Sequence, residues 1–378
     1  MLVKAFFRWS ETAKAGDRAK AANALGRAYL QSPLSEDDRR STYVAMTYLL
    51  DDPSPKVRLG LAEALAHAPD APRALIVSLA EDQPEIASLV ILSSPVLDDR
   101  DLVDLAGRGV WFTRAFIAAR PRLSCAVAAA LVEISDVPEC LVLLDNASAN
   151  LSPFSLIRLA ERHGRHEGVR GALLERADLP GRARHLLVRH AADAFADSSL
   201  VRFALGEAKL KRINLEASVS AAAVIAGDVA FDEIPQLVEQ MRINGHLTPA
   251  LLMEILCRGK ADFFAAAIES LSGVQERRVR SILATGRMHA VRALLESAGL
   301  GRSIAPLFVE AVLLWRNAVQ TTRHSEIGSI CAPLLVKGRS LARDDSSEKL
   351  LDMVQTLVRD DERRQARRYA ANLIVDAA

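Results

Sequence analysis

The sequence predicts an all-α protein, a right-handed alpha-alpha superhelix in which short helices pair and the pairs stack. Three observations predict it. Apolar residues recur at spacings of three and four, and no stretch alternates as a strand would. Helix starts are spelled out by serine or threonine followed by proline, over and over. Some of those starts return at a fixed interval.

The fullest helix start is "DDPSPKVRLGLAEALA", residues 51–66. Ser54 reads as the N-cap, its hydroxyl accepting from a free first-turn N–H. Pro55 falls at the first helical position, where a missing N–H costs nothing. Val57, Leu61, Ala64, Leu65 and Ala68 then share one face. Pro69 and Pro72 end this helix, and a partner carrying Leu75 and Leu79 follows. Pro84 and Ile86 repeat Pro55 and Val57 in degenerate form, 29 residues on.

A second series is more regular. Leu123-Ser124, Leu151-Ser152 and Leu179-Pro180 start the same motif at two successive intervals of 28 residues. Arg120 and Arg176 each stand three residues ahead of the leucine. A unit of this length holds two short helices that cannot bury their apolar faces alone, so copies must stack. Residues 1–50 read as an N-terminal cap, with Ser35 capping a helix and Asp38 three residues later. The array is expected over 1–300, where Thr248 and Pro249 mark a late helix start. Residues 301–378 form a C-terminal helical segment, either separate or continuous with the array.

"DDPSPKVRLGLAEALA" resembles a HEAT repeat in its aspartate-proline turn, Val57, Arg58, Ala62 and Leu65. The resemblance implies that Val57 packs between helices and that Arg58 pairs with turn acids of the Asp51 or Asp52 type in a neighbouring unit. Over roughly residues 20–300, with "LSSPVLDDRDLVDLA" and "LLERADLP", the chain resembles a bacterial, mainly alphaproteobacterial, family of HEAT-like proteins of unknown function. That resemblance implies a fold and a bacterial cytosolic setting, and it supplies no catalytic residue.

Composition narrows the function classes. Half of the 378 residues are apolar and 5% are aromatic, which suits closely packed Ala- and Leu-rich helices. The net charge of +1, from 48 basic and 47 acidic residues, argues against a globally basic nucleic-acid binder. The four cysteines, Cys125, Cys140, Cys257 and Cys331, form no C-x-x-C pair and read as reduced thiols. The first twenty residues lack a signal-peptide apolar run, and the charge-free stretch 217–227 is too short to span a bilayer. A cytoplasmic protein without a membrane span is the expectation.

No phosphate loop, nucleophile elbow or zinc-protease motif is present. His163 and His166, with His185 and His190 in the next unit, are the most suggestive histidines; the first pair brackets Gly164 at a helix end, and a solvated turn is favoured over a metal site. Asp98, Asp99, Asp101 and Asp104 read as a helix-capping run. No enzyme activity, cofactor or metal is expected.

The binding candidates are basic and aromatic. From 158 to 190 the arginines 158, 162, 165, 170, 176, 182, 184 and 189 face only four acids. Of these, Arg158, Arg162, Arg165, Arg170, Arg182, Arg184 and Arg189 are the candidate partner- or phosphate-binding residues. The plainer reading is a solvated face with local ion pairs. Trp111 and Phe112 would anchor a partner if exposed. The bland alternative buries them in an Ala-rich core, as for Trp315. The expected function is a non-enzymatic scaffold binding a protein or peptide along its surface, with phosphate-backbone binding as the alternative.

Overall fold

A computed structural model describes the backbone of residues 2–321 and 327–376. Among the described residues all regular structure is helical, as the apolar spacing requires. The chain forms two compact units, Met1–Leu179 and Pro180–Ala378.

The first unit opens with α1 (Leu2–Thr12), α2 (Ala15–Gln31) and α3 (Glu36–Leu50). It continues through α4 (Pro55–Leu65), α5 (Arg73–Ala80), α6 (Pro84–Ser93), α7 (Asp99–Arg108), α8 (Trp111–Ala118), α9 (Cys125–Ile134), α10 (Val137–Asp145), α11 (Pro153–His163) and α12 (Glu167–Leu174). Most of these helices pack on the one two places ahead. The series α4, α6, α8, α10, α12 forms one layer and α7, α9, α11 the other, with chain neighbours such as α7 and α8 joining the layers. This is the stacked-pair, solenoid-like arrangement that neither helix of a pair can reach alone.

The repeat markers are structural. Leu123, Leu151 and Leu179 are all buried, as is Val57. Ser124 and Ser152 each accept a hydrogen bond from the third residue on, Val127 and Ser155, at 3.3 and 3.0 Å. Pro55, Pro84 and Pro153 begin their helices as expected. Ser54 departs from expectation: its hydroxyl caps nothing. Its own N–H instead donates to Asp52 Oδ1 at 2.9 Å, so a buried aspartate organises the turn.

Arg58 reaches a turn acid of the next unit, as the resemblance implies: the acid is Asp82, which stands two residues beyond α5 as Asp52 stands beyond α3. The pair is bidentate at 2.5 and 2.9 Å, and Nη1 also donates to the Asp52 carbonyl at 2.5 Å. Arg18 holds Asp52 the same way, at 2.7 and 2.9 Å, and donates to the Ala13 carbonyl. Both aspartates lie two residues beyond a helix end, so the contact recurs from layer to layer.

Other arginines close helix C-termini, where the last carbonyls have no partner within the helix. Arg120 donates to the Ile91 carbonyl and, at 2.5 Å, to the Ser94 carbonyl at the end of α6. Asn146 donates to Ala118 and Arg120 at the end of α8. The acidic run does cap α7: Asp98 and Asp101 form a capping box. Arg73 bridges that box from α5, at 3.2 and 2.6 Å.

The second unit comprises α13 (Gly181–Asp197), α14 (Ser199–Leu205), α15 (Glu207–Asp228), a short 3-10 turn (Phe231–Glu233), α16 (Ile234–Ile243), α17 (Pro249–Cys257), α18 (Ala261–Ser272), α19 (Glu276–Thr285), α20 (Met288–Ser297), α21 (Ala305–Thr321), α22 (Ile327–Leu341) and α23 (Asp345–Asp376). Helix α17 is its centre. Every residue from Leu251 to Cys257 is buried, and α15, α18, α21, α22 and α23 all pack on it. Helices α21, α22 and α23 thus contribute to this unit's core, where Phe308 stacks on Phe264. Arg316 repeats the C-terminal closure seen in the first unit. It donates to the carbonyls of Ile282, Leu283 and Gly286 at 2.6–2.8 Å at the end of α19.

Candidate functional site: a histidine-lined cavity in the second unit

The arginines singled out in the sequence fall in both units, and those of the first are largely engaged. Arg158 is bidentate to Glu133 at 2.8 and 3.1 Å and reaches Glu161 at 3.5 Å. Arg162 donates to the Val132 carbonyl at the end of α9, and His163 Nε2 lies 3.2 Å from the Ser135 carbonyl. Arg170 donates to the Arg165 carbonyl at 2.9 Å, while the Arg165 side chain is exposed. These are the same inter-helix closures that Arg58 and Arg120 make. In the second unit Arg182, Arg184 and Arg189 are half-buried on α13, and Arg182 is engaged within the protein.

The aromatic pair divides. Trp111 is 64% exposed at the start of α8, which corrects the reading that it belongs to the core. Phe112 is half-buried, its ring edge-on to Trp111 with centroids 6.0 Å apart. Trp315 is partly buried against the core. Among the described residues no three His, Cys, Asp or Glu side chains converge as metal ligands would. No described helix is long and apolar enough to cross a membrane.

A cavity of about 510 Å³ lies in the second unit between α13, α14, α15 and the turn before α17. Two helical stripes build its walls. On α13 the residues are His185, Val188, Arg189 and Ala196, and on α15 they are Leu210, Lys211, Asn214, Ser218 and Ala222. Ala196, Ser218 and Ala222 are too small to fill the space between the two packed helices.

His246 enters from the turn after α16. Gly245, at φ +68°, takes the left-handed position that ends that helix, and the His246 N–H donates back to the Met241 carbonyl at 2.8 Å. Thr248 Oγ1 then caps α17 by accepting from Leu251. The backbone of His246 is therefore fixed while its ring faces His185, edge to face, with centroids 5.3 Å apart. His185 is only 5% exposed, and among the described residues neither its Nδ1 nor that of His246 has a hydrogen-bond partner. Burial pushes the His185 imidazole down to about 4, with further lowering from His246 and Arg189. His246 is lowered by burial and by Arg189. At neutral pH both rings are uncharged.

Toward the other end, Arg202 donates to the Asp197 carbonyl at 2.8 Å and lies 3.8 Å from its carboxylate. Glu207 and Lys211 stand on the first turns of α15. Helix α14 itself has no buried residue, with Leu200 75% and Phe203 91% exposed. Phe195 and Leu215, on the α13 and α15 helices that it packs against, are exposed as well.

Sequence reasoning found His185 but grouped it with His163, His166 and His190. Its partner is His246, 61 residues away, which was not singled out. The signal was the "NGHLTP" turn, where a glycine C-cap and a threonine N-cap leave one histidine between two fixed points.

Comparison with known proteins gives one match. The family model described as "Uncharacterised protein conserved in bacteria (DUF2336)" matches residues 86–337. That is two thirds of the chain, and the chain belongs to this family. No curated protein and no solved structure matches it.

Proposed function

We propose that this member of the family is a non-enzymatic scaffold that docks a protein or peptide partner, and that its second unit carries the principal docking face. The observation that carries the reading is the exposure of Leu200 and Phe203 on a helix with no buried residue, beside exposed Phe195 and Leu215. Single exposed apolar residues are ordinary. Four large ones on three mutually packed helices are the pattern of a surface that is covered in use. Trp111 and Val110, at 64% and 52% exposure, offer a second anchor in the first unit. The kinship with HEAT repeats belongs to this reading: stacked pairs, the Arg58–Asp82 contact and its Arg18–Asp52 counterpart support it.

The phosphate-binding alternative has less support, because Arg158, Arg162 and Arg170 are occupied by carboxylates and carbonyls within the fold. A phosphate would have to displace them. The test is affinity capture from the native cell, with and without nuclease, comparing the wild type with Leu200→Ser/Phe203→Ser. The reading expects a stoichiometric protein that survives nuclease and is lost from the variant, whose circular dichroism is unchanged. Co-purifying material that disappears with nuclease and is retained by the variant overturns it.

A further inference from the structure

The cavity of the second unit is not needed for a partner to dock on α14, and its chemistry is of another kind. Two imidazoles with unpartnered Nδ1 atoms face each other at 5.3 Å, one of them 95% buried. A buried polar atom without a partner costs about 1–3 kcal/mol, so a site that keeps two of them is poised to satisfy them with something else. Arg189 stands one helical turn from His185 on the same face of α13, and no carboxylate among the described residues forms an ion pair with it. The two acids that line the cavity, Asp197 and Glu207, lie on the last and first turns of α13 and α15, away from the ring pair along the helices. Charged residues on the next helices are paired among themselves, Arg242 with Glu239 and Arg258 with Glu254. Around the imidazoles the protein therefore gathers donors and positive charge with no anion to answer them. The remaining wall, Val188, Leu210, Val219 and Leu251, is apolar.

We infer that this cavity binds a small amphipathic anion, its carboxylate or phosphate head against Arg189, His185 and His246 and its apolar body along Val188, Leu210 and Val219. A volume of about 510 Å³ lies within the usual range for small-ligand sites. A cation is disfavoured by Arg189, and a neutral molecule of the same shape leaves that charge unanswered. An anion favours the protonated form of the rings, so it binds with proton uptake and more tightly at pH 6 than at pH 8. The charged groups that share the cavity with the rings are Arg189, Asp197, Arg202, Glu207 and Lys211.

The experiment titrates the full chain with octanoate and with octyl phosphate, and with octanol and octyltrimethylammonium as neutral and cationic counterparts. It is read by calorimetry and by the histidine ring proton resonances, assigned through His246→Gln and His185→Gln. The inference expects saturable binding of at least one anion that moves the His185 and His246 resonances, and at least tenfold weaker binding by Arg189→Gln. Preference between the two heads identifies the carboxylate or the phosphate as the natural chemistry. If Arg189→Gln fails to fold, His246→Gln, at a half-exposed position, carries the same expectation. Absence of binding by both anions at millimolar concentration overturns the inference. So does equal binding of octanol or the cation, or undiminished binding by the variants. Partner capture through α14 is read separately, so failure of one leaves the other standing.

Discussion

Helices α2 and α4 approach each other closely at Gly60, and the same substitution there and at an open position should have opposite signs. A Cβ added at Gly60 would lie 2.6 Å from the Ala19 carbonyl oxygen, 0.8 Å inside the 3.4 Å at which ordinary contact begins. The obstacle is backbone, which cannot rotate aside, and Asn23 Nδ2 already holds the Gly60 carbonyl at 3.1 Å. Overpacking of this kind costs about 1–3 kcal/mol, and here the upper end applies. Replacing glycine by alanine inside a helix returns about 1 kcal/mol. Gly60→Ala should therefore destabilise by about 2 kcal/mol. Gly171 is the control: it is exposed in the middle of α12, with nothing within 4 Å of an added Cβ. Gly171→Ala should gain about 0.5–1 kcal/mol. Urea unfolding followed by circular dichroism measures both, and hydrogen exchange in peptides from α2 and α4 localises the first. A Gly60→Ala protein as stable as the wild type, beside a stabilised Gly171→Ala, would refute the argument that backbone contact fixes this interface.

Further predictions concern single groups. His185 is held neutral in the fold, its value lowered from 6.5 to about 4. The unfolded ring takes up a proton over that window and the folded ring does not, so its contribution is complete above pH 6.5 and is lost on acidification toward pH 4. The loss is about 3 kcal/mol, and His185→Gln should flatten the pH dependence of the urea midpoint between 7 and 4.5. A double-mutant cycle on Arg58→Ala and Asp82→Ala should give a coupling of about 1 kcal/mol, after discounting for partial solvent screening. Independent effects of the two substitutions would remove the pair from the inter-layer contact. Arg316→Met leaves three carbonyls at the end of α19 without their donor and should cost about 2–3 kcal/mol, seen as faster hydrogen exchange in 276–286. Of the four thiols, Cys125 is half-buried while Cys140, Cys257 and Cys331 are buried, and burial pushes Cys140 up to about 11. A disulfide reagent at pH 8 should titrate one thiol quickly in the native protein and four in urea.

What the sequence determined by itself is local. Proline at a helix start, serine or threonine one residue before it and leucine before that are decided within four residues, so Thr248-Pro249 and Leu151-Ser152-Pro153 were legible. The capping run at Asp98–Asp101 was legible for the same reason, and so was the burial of Val57, which follows from helical spacing. Side chains whose role depends on a distant neighbour were not. Arg158, Arg162 and Arg170 read as a basic surface, yet their partners are Glu133, the Val132 carbonyl and the Arg165 carbonyl, chosen by which helix end lies within a guanidinium's reach. Trp111 looked like core because it is large and apolar, but at the start of α8 it is exposed. The pairing of His185 with His246 is the plainest case. Two histidines 61 residues apart meet because α13 packs on α15 and a glycine-terminated turn brings the second ring to the first, and tertiary packing alone decides that.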